Sequence, residues 1–267
     1  MRCKTYETYV RFVRKSGEEK DMRLKGKTAI VTGGASGFGE GIVRKFLTEG
    51  AQVMVADING EAAKGLAKEL GAEACTVDVS DGASVQAMAE AAQRAFGLPD
   101  IVVNNAGITH LPQMMEYVTE EDFDRVFAVN CKSVYLVARA LVPGMKERGS
   151  GAILNVASTA GVSPRPKLNW YNASKGWMNT ATKAMAVELA PEGIRVNALN
   201  PVAGETPLLA SFLGEDTPEM RAKFLSTIPL GRFSTPEDMG NAAAYLCSDE
   251  AGMITGVCME VDGGRCI

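Results

Sequence analysis

Hydrophobic and polar positions along the chain fall into two alternating kinds of segment. Short runs rich in Val, Ile and Ala are separated by longer stretches in which apolar residues recur at helical spacing. The runs that we predict to be strands are 27–31, 51–56, 74–77, 101–103, 153–156 and 256–262. Strands that alternate with helices predict repeated βαβ units around one parallel sheet, which is the α/β class.

A glycine-rich turn follows the first predicted strand. Residues 32–39 read TGGASGFG, and the apolar residues after them recur at helical spacing. Glycines permit a tight turn, and the N–H groups at the start of a helix bind anions such as a pyrophosphate. The turn alone is also typical of an ordinary loop, but its context predicts a dinucleotide site that includes Gly33, Ser36, Gly37, Phe38 and Gly39.

An acidic residue ends the second predicted strand. Asp57 lies about twenty residues beyond the glycines, the usual position of a carboxylate that binds the ribose hydroxyls of NAD. A 2′-phosphate would meet this negative charge, and neither Ser36 nor Ile58 offers a compensating cation. In isolation Asp57 fits a solvated loop carboxylate equally well. Together with the glycine turn, it favours NAD over NADP.

The most informative residues are Tyr171 and Lys175, with Ser158 thirteen positions before the tyrosine. Positions four apart share one face of a helix, so the Lys175 ammonium is expected beside the Tyr171 phenol. A phenol has a pKa of about 10, and about 4 kcal/mol of preferential stabilisation of its anion lowers that value by roughly three units. An exposed pair without function is the commoner explanation of this spacing alone.

In order along the chain, these motifs resemble the compact, single-domain branch of the short-chain dehydrogenase/reductase family. The resemblance runs from about residue 22 to the C-terminus and rests on Thr32-Gly33-x-x-x-Gly37-x-Gly39, Asp78-Val79, Asn104-Asn105-Ala106-Gly107, Asn130, Ser158, Tyr171-x-x-x-Lys175 and Asn200-Pro201. It implies a Rossmann-like, doubly wound fold with helices on both faces of the sheet. It also implies nicotinamide-dependent hydride transfer and a homotetramer.

The resemblance assigns a role to each member of a catalytic tetrad. Tyr171 is the general acid/base, and Lys175 lowers its pKa and bonds the nicotinamide ribose. Ser158 orients the reacting oxygen of the substrate, and Asn130 holds a water that leads to Lys175. For Ser158 a simple turn residue, and for Asn130 an amide bonded to a nearby carbonyl, are the other interpretations.

Further cofactor contacts follow from the same resemblance. Those expected are Asp78 and Val79 at the adenine, Asn105, Ala106 and Gly107 along the cofactor, and Pro201 and Thr206 near the nicotinamide. Asp78 fits the N-cap of the following helix equally well. Val202 replaces the glycine usual in the family, and a stiff β-branched residue there predicts a different backbone path next to Thr206.

Composition narrows the class of protein. The chain has 267 residues, 46% of them hydrophobic, and a net charge of −4 that argues against nucleic-acid binding. One histidine, His110, and six scattered cysteines predict no metal site and reduced thiols in the cytoplasm. His110 is more typical of a loop residue than of a substrate contact. No signal peptide or membrane-spanning run is expected.

We predict two parts and one main function. Residues 1–21 are expected to be a peripheral extension, and 22–267 the catalytic domain. The function is NAD(H)-dependent interconversion of a secondary alcohol and a ketone or aldehyde. The alternatives are an NADPH-dependent 3-oxoacyl-thioester reductase and a non-catalytic dinucleotide sensor. A sugar-nucleotide epimerase is disfavoured because only about sixty residues follow Thr206, too few for a substrate domain.

The sequence limits the substrate only loosely. An apolar segment at 207–213 lies where the family places its substrate lid, and Arg165, Lys167 and Trp170 are expected near the mouth of the cleft. These features fit a hydrophobic or weakly anionic carbonyl compound, although solvated surface charge is the commoner reason for such cations. The candidates are 3-oxoacyl thioesters, sugars, and cyclic or aryl secondary alcohols.

Overall fold

The computed structural model of the protein describes residues 22–214 and 216–267. The predicted extension at 1–21 lies outside this part of the chain. The strands are β1 (Thr28–Thr32), β2 (Gln52–Asp57), β3 (Glu73–Thr76), β4 (Ile101–Asn104), β5 (Gly151–Val156), β6 (Ile194–Pro201) and β7 (Cys258–Val261). The α-helices are α1 (Gly37–Thr48), α2 (Gly60–Leu70), α3 (Gly82–Phe96), α4 (Glu120–Phe127), α5 (Ser133–Arg148), α6 (Asn169–Leu189), α7 (Leu209–Leu213), α8 (Pro218–Leu225) and α9 (Pro236–Cys247).

The seven strands form one sheet in the order β3-β2-β1-β4-β5-β6-β7, and every neighbouring pair is parallel. The chain builds outward from β1 to β3 and then returns to place β4 on the other side of β1. Such a reversal opens a crevice at the carboxyl ends of the strands, where ligands bind in doubly wound sheets. The predicted α/β Rossmann-like fold is confirmed.

Helices cover both faces of the sheet, and this explains why the strands are almost continuously apolar. Successive residues of a strand point to opposite faces. Val31 joins a buried cluster with Phe46 of α1 and Met239 of α9, whereas Ile30 joins a second cluster with Met88 of α3 and helix α5. The sheet is thus the middle layer between two apolar cores.

The observed strand β6 was absent from the sequence prediction. Arg195, Asn197 and Asn200 interrupt its apolar pattern, which otherwise resembles the predicted runs. The structure satisfies the buried amide of Asn197 with the carbonyl of Ile254, 2.9 Å from its Nδ2. A strand next to the sheet edge can hold such polar side chains because the neighbouring loops offer them partners.

A single π-helical turn, Ala128–Lys132, joins α4 to α5. The combined helix, Glu120–Arg148, is long and apolar enough by length and composition to cross a membrane, so the expectation that no segment would be was wrong. This length is reached only because the π-helical turn joins α4, whose first turn is acidic, to α5. In the fold this helix supplies Val126, Val134 and Val137 to the protein interior.

The expectation of reduced thiols agrees with the five cysteines in the described ranges, which are all free. Within those same ranges, no three His, Cys, Asp or Glu side chains cluster as metal ligands do.

Candidate active site

A cavity of about 430 Å³ opens at the carboxyl ends of the central strands. The glycine turn and Asp57 line one end, and the start of α6 and the segment around α7 and α8 line the other. Of the predicted site residues, those that line it are Gly33, Ser36, Gly37, Phe38, Asp57, Ile58, Asp78, Val79, Asn105, Ala106, Gly107, Ser158, Tyr171, Lys175, Pro201 and Thr206. Gly39 and Asn130 lie behind the lining.

Close backbone approach explains the glycines of the turn. Gly33 has φ +60°, and a Cβ on it would lie 2.9 Å from the Cα of Ala106. A Cβ on Gly39 would lie 2.0 Å from the Gly33 carbonyl oxygen, so Gly39 supports the turn from beneath. Because glycine has no side chain, the N–H groups at the start of α1 stay accessible. The cradle therefore fits a bound pyrophosphate.

Side-chain hydrogen bonds fix the turn to the end of β4. Asn105 donates through Nδ2 to the carbonyls of Thr32 and Gly33, each at 2.9 Å. The Thr32 hydroxyl donates to the Val103 carbonyl and accepts from the N–H groups of Asn105 and Ala106. Thr32 is part of the glycine motif, and only the structure shows that its hydroxyl joins the two loops.

Asp57 is held in place by the backbone. One carboxylate oxygen accepts the N–H of Ala35 at 3.0 Å, and the other accepts the N–H of Asn59 at 2.9 Å. Ionised carboxylates have about four acceptor sites, so hydroxyl groups of a ligand still find acceptors here. The adjacent Ile58 is 71% exposed, and Ser36 is exposed at the start of α1. The geometry suits the ribose of an adenine dinucleotide.

The two interpretations of Asp78 are resolved in part. The N-cap of α3 is Asp81, whose side chain accepts the N–H of Ser84, so Asp78 is not the cap. The Asp78 carboxylate accepts the N–H and the hydroxyl of Ser80, and these bonds lower its pKa. Asp78 and Val79 both line the cavity, as expected for residues beside an adenine.

Tyr171 and Lys175 lie in the first turns of α6 and are each 4% exposed. The Lys175 Nζ donates to the Val156 carbonyl at 2.9 Å and lies 5.9 Å from the centre of the Tyr171 ring. Burial lowers the pKa of Lys175 to about 8. The two side chains share one helix face, as the spacing predicts.

The effect on the tyrosine differs from the sequence expectation. Burial raises the pKa of Tyr171 to about 12, while a hydrogen bond with Ser158 and the charge of Arg165 oppose that rise. Desolvation disfavours the phenolate more than the neighbouring groups favour it. The cation whose charge lowers the pKa of Tyr171 here is Arg165, and the role of Lys175 stays a prediction.

Ser158 and Asn130 approach this pair from two sides. The Ser158 hydroxyl accepts the N–H of Ala160 at 3.0 Å and remains on the cavity wall. Asn130, in the π-helical turn, bonds both the N–H and the carbonyl of Ile108 at 2.9 Å. A Cβ on Gly107 would lie 3.3 Å from the Lys175 Nζ and 3.4 Å from the Asn130 Oδ1, so both side chains approach Gly107 closely.

The segment after β6 keeps Thr206 at the cavity despite the unusual Val202. A Cβ on Gly37 would lie 3.1 Å from the Cβ of Thr206, which places this threonine against the glycine turn. The Val202 side chain is 2% exposed and packs with Leu209 and Phe224 beneath the predicted lid. Val202 therefore contributes to the lid core, and Thr206 lines the cavity, while its contact with the nicotinamide stays a prediction.

Several lining residues of the substrate end were not predicted. Arg165 lines the cavity as expected, whereas Lys167 and Trp170 do not. Phe212, within the predicted lid, lies edge-on to Tyr171 with ring centres 5.1 Å apart. Phe224 and Arg265 also line this end, although they are far from the motifs in sequence. His110 is 1% exposed and outside the lining, in agreement with its interpretation as a loop residue.

Comparison with known proteins agrees with this geometry. The sequence model of a family described as enoyl-(acyl carrier protein) reductase matches residues 33–265. The 4-formylbenzenesulfonate dehydrogenase TsaC1/TsaC2 of Comamonas testosteroni is 51% identical over 91% of this chain and 99% of its own length.

The chain belongs to the short-chain dehydrogenase/reductase family.

Two other members of the family are informative. The 3-oxoacyl-[acyl-carrier-protein] reductase FabG of Thermotoga maritima is 39% identical over 92% of this chain and 100% of its own length. A crystal structure of 3-ketoacyl-(acyl-carrier-protein) reductase from Brucella melitensis, complexed with NADH, superimposes with a TM-score of 0.87 at 52% identity. It covers 91% of this chain and 100% of that one. The protein is thus an oxidoreductase of this family that acts on alcohols and carbonyl compounds.

Proposed function

We propose that the protein is an NAD(H)-dependent dehydrogenase in which Tyr171 transfers the proton between solvent and the alcohol oxygen. The observation that carries the proposal is one cavity with a glycine cradle and Asp57 at one end and buried Tyr171, Ser158 and Lys175 at the other. A bound nicotinamide supplies or accepts the hydride. The protein contributes position, charge and proton transfer.

The proton chemistry follows from the buried phenol. With a pKa of about 12, Tyr171 is protonated at neutral pH and is ready to donate its proton to a carbonyl oxygen during reduction. In oxidation Tyr171 first loses its own proton to solvent, and the phenolate then accepts the proton of the alcohol as the alcohol carbon gives up a hydride. Ser158 and Arg165, which lower the pKa of Tyr171, stabilise this phenolate.

NAD is proposed as the cofactor over NADP. The Asp57 carboxylate is fixed at the ribose end of the cradle and repels a 2′-phosphate. Among the described residues, the cations on the cavity wall are Arg165, Lys175 and Arg265, and none of them is on the loops around Asp57. The NADH complex of the relative from Brucella melitensis supports the same choice.

For the substrate we propose an aryl alcohol or its carbonyl product. The apolar rings of Phe212 and Phe224 at the substrate end and the name of the relative from Comamonas testosteroni both support this class. Reduction of 3-oxoacyl thioesters is the second candidate, because the relatives from Thermotoga maritima and Brucella melitensis carry that activity in their names. The homotetramer and the cytoplasmic location are retained as proposals from the family resemblance.

The test follows reduced nicotinamide absorbance with NAD and NADP in parallel against benzylic alcohols, cyclic secondary alcohols, sugars and 3-oxoacyl thioesters. We expect NAD-linked oxidation of a benzylic alcohol, with a loss of at least about 100-fold in Tyr171→Phe. In Asp57→Asn, which retains an acceptor for the backbone, the preference for NAD should fall about tenfold or more. Turnover of thioesters with NADP alone would overturn both the cofactor and the substrate class.

A further inference from the structure

Two arginines converge on the substrate end of the cavity. Arg165 follows β5, Arg265 follows β7, and the guanidinium carbon of each lies 4.9 Å from the centre of the Phe224 ring. The two cations are therefore separated by at most twice that distance. Arg165 also lies 5.9 Å from the ring of Phe212, which in turn lies edge-on to Tyr171. One aromatic ring thus separates the guanidinium from the proposed acid/base.

The protein leaves both charges without a carboxylate partner over the residues that the structure describes. No ion pair in 22–214 or 216–267 involves Arg165 or Arg265. Both side chains are half-buried. Burial, followed by the charge of Arg265, lowers the pKa of Arg165. Two like charges that repel each other at a partly desolvated site are costly unless an anion joins them.

Arg265 is held in position by its own turn. The buried Asp262 accepts the N–H groups of Gly264 and Cys266, one at each carboxylate oxygen. The Arg265 guanidinium donates to the hydroxyl of Thr227, beside α8. The hydrogen bond to Thr227 uses one guanidinium nitrogen of Arg265. The other guanidinium nitrogens remain available to a ligand in the cavity. The position of the side chain is therefore built by the fold.

We infer that Arg165 and Arg265 form a subsite for an anionic group on the substrate, which is an aryl alcohol or aldehyde with a sulfonate or carboxylate opposite the reacting carbon. This inference rests on the proposed function and names its substrate class. Guanidinium groups bind such oxygens through paired hydrogen bonds, and the Phe212 ring, between Arg165 and Tyr171, is an aromatic wall for the benzene ring. The ring spans the gap between Tyr171 and the cations.

The same cations do not fit the alternative of a 2′-phosphate on the cofactor. That phosphate would attach to the ribose beside Asp57, at the glycine end of the cavity. Arg165 instead acts on Tyr171, because its charge is one of the influences that lower the tyrosine pKa. An anion that reaches Arg165 therefore belongs to the molecule that reacts at Tyr171.

The experiment compares para-sulfobenzyl alcohol with its neutral analogue, para-(methylsulfonyl)benzyl alcohol, as substrates with NAD. In Arg265→Gln we expect kcat/KM for the sulfonate to fall about 10- to 100-fold, with the neutral analogue changed less than about threefold. Arg265→Lys should recover part of the loss, because it keeps the charge without the paired donors. Arg165→Gln should also slow the neutral substrate, since Arg165 acts on Tyr171. Arg94→Gln, an exposed arginine on α3, is the matched control.

A binding measurement separates this inference from the proposed function. Calorimetry on the full-length wild-type protein should show benzenesulfonate binding at least about tenfold tighter than methyl phenyl sulfone, and Arg265→Gln should abolish the difference. Equal binding of the two probes to the wild type, or equal losses on both substrates in Arg265→Gln, would overturn the anion subsite. Turnover of neither alcohol, together with Arg265-dependent sulfonate binding, would refute the dehydrogenase assignment for this class while supporting the subsite.

Discussion

The two ends of the cavity are built in different ways. At the glycine end, backbone meets backbone: a methyl group added to Gly33 would lie 2.9 Å from the Ala106 Cα, one added to Gly39 would lie 2.0 Å from the Gly33 carbonyl oxygen, and Asp57 is tied by two N–H groups. At the substrate end, side chains meet side chains through the rings of Phe212 and Phe224. Backbone contacts tolerate almost no change, whereas side-chain contacts can be exchanged without moving the fold. We therefore expect members of the family to share the glycine cradle and to differ at the substrate end.

The largest expected effect comes from Gly39→Ala at the glycine end. Its methyl group would lie 2.0 Å from the Gly33 carbonyl oxygen and 2.5 Å from the Asn105 Nδ2, so the turn must move. We expect NADH affinity, measured by fluorescence titration, to fall at least about 100-fold, equivalent to roughly 3 kcal/mol.

The matched control is Gly65→Ala in α2, where an added Cβ meets no atom within 4 Å. That variant should bind NADH normally and gain about 0.5–1 kcal/mol in free energy of unfolding, because alanine favours helix. Normal NADH affinity in Gly39→Ala would remove the distinction between the two ends.

An intermediate effect is expected where the two ends meet, at Lys175. Burial lowers its pKa from 10.5 to about 8, so between these values the unfolded chain binds more protons than the folded one. Stability therefore rises with pH in this window. Relative to Lys175→Met, the wild type should gain about 1–2 kcal/mol in free energy of unfolding between about pH 7 and about pH 9.5.

Denaturant unfolding of both proteins without nucleotide measures this difference. The pKa of Tyr171 is raised from 10.0 to about 12, so between these values its contribution to the free energy of unfolding falls as pH rises. The pH window for Lys175 stops below that range. A flat difference between wild type and Lys175→Met would show that the ammonium is less buried than its 4% exposure indicates.

The smallest effect is expected from Phe212→Ala at the substrate end. The edge-on contact between the Phe212 and Tyr171 rings, 5.1 Å apart, contributes roughly 0.5–1.5 kcal/mol. We expect KM for a benzylic alcohol to rise about 2- to 10-fold, with NADH affinity unchanged. Phe212→Leu retains apolar volume, so its KM should lie between the values of the wild type and Phe212→Ala. A fall in NADH affinity as large as that in Gly39→Ala would contradict a functional separation of the ends.

The sequence prediction was strongest where local rules apply. The glycines of the turn, Asp57 at the end of β2, and the apolar runs of the central strands depend on neighbours within a few residues. It was weaker where polar residues interrupt a strand, as in β6. It did not anticipate the surroundings of this pair, because spacing on a helix places Lys175 near Tyr171 but does not show that the ammonium bonds the Val156 carbonyl or that burial raises the tyrosine pKa.

The sequence by itself thus determined the α/β class, the cofactor cradle and the residues expected to perform the chemistry. Backbone conformation and helix spacing are local, so motifs carry them directly. Only the tertiary structure brought Phe224 and Arg265 beside Arg165 and Phe212 around one substrate space. These residues come from three distant segments, and their meeting depends on how α6, α7, α8 and the turn after β7 pack at one edge of the sheet. Contacts between segments far apart in sequence arise from the folded chain, and no local pattern records them.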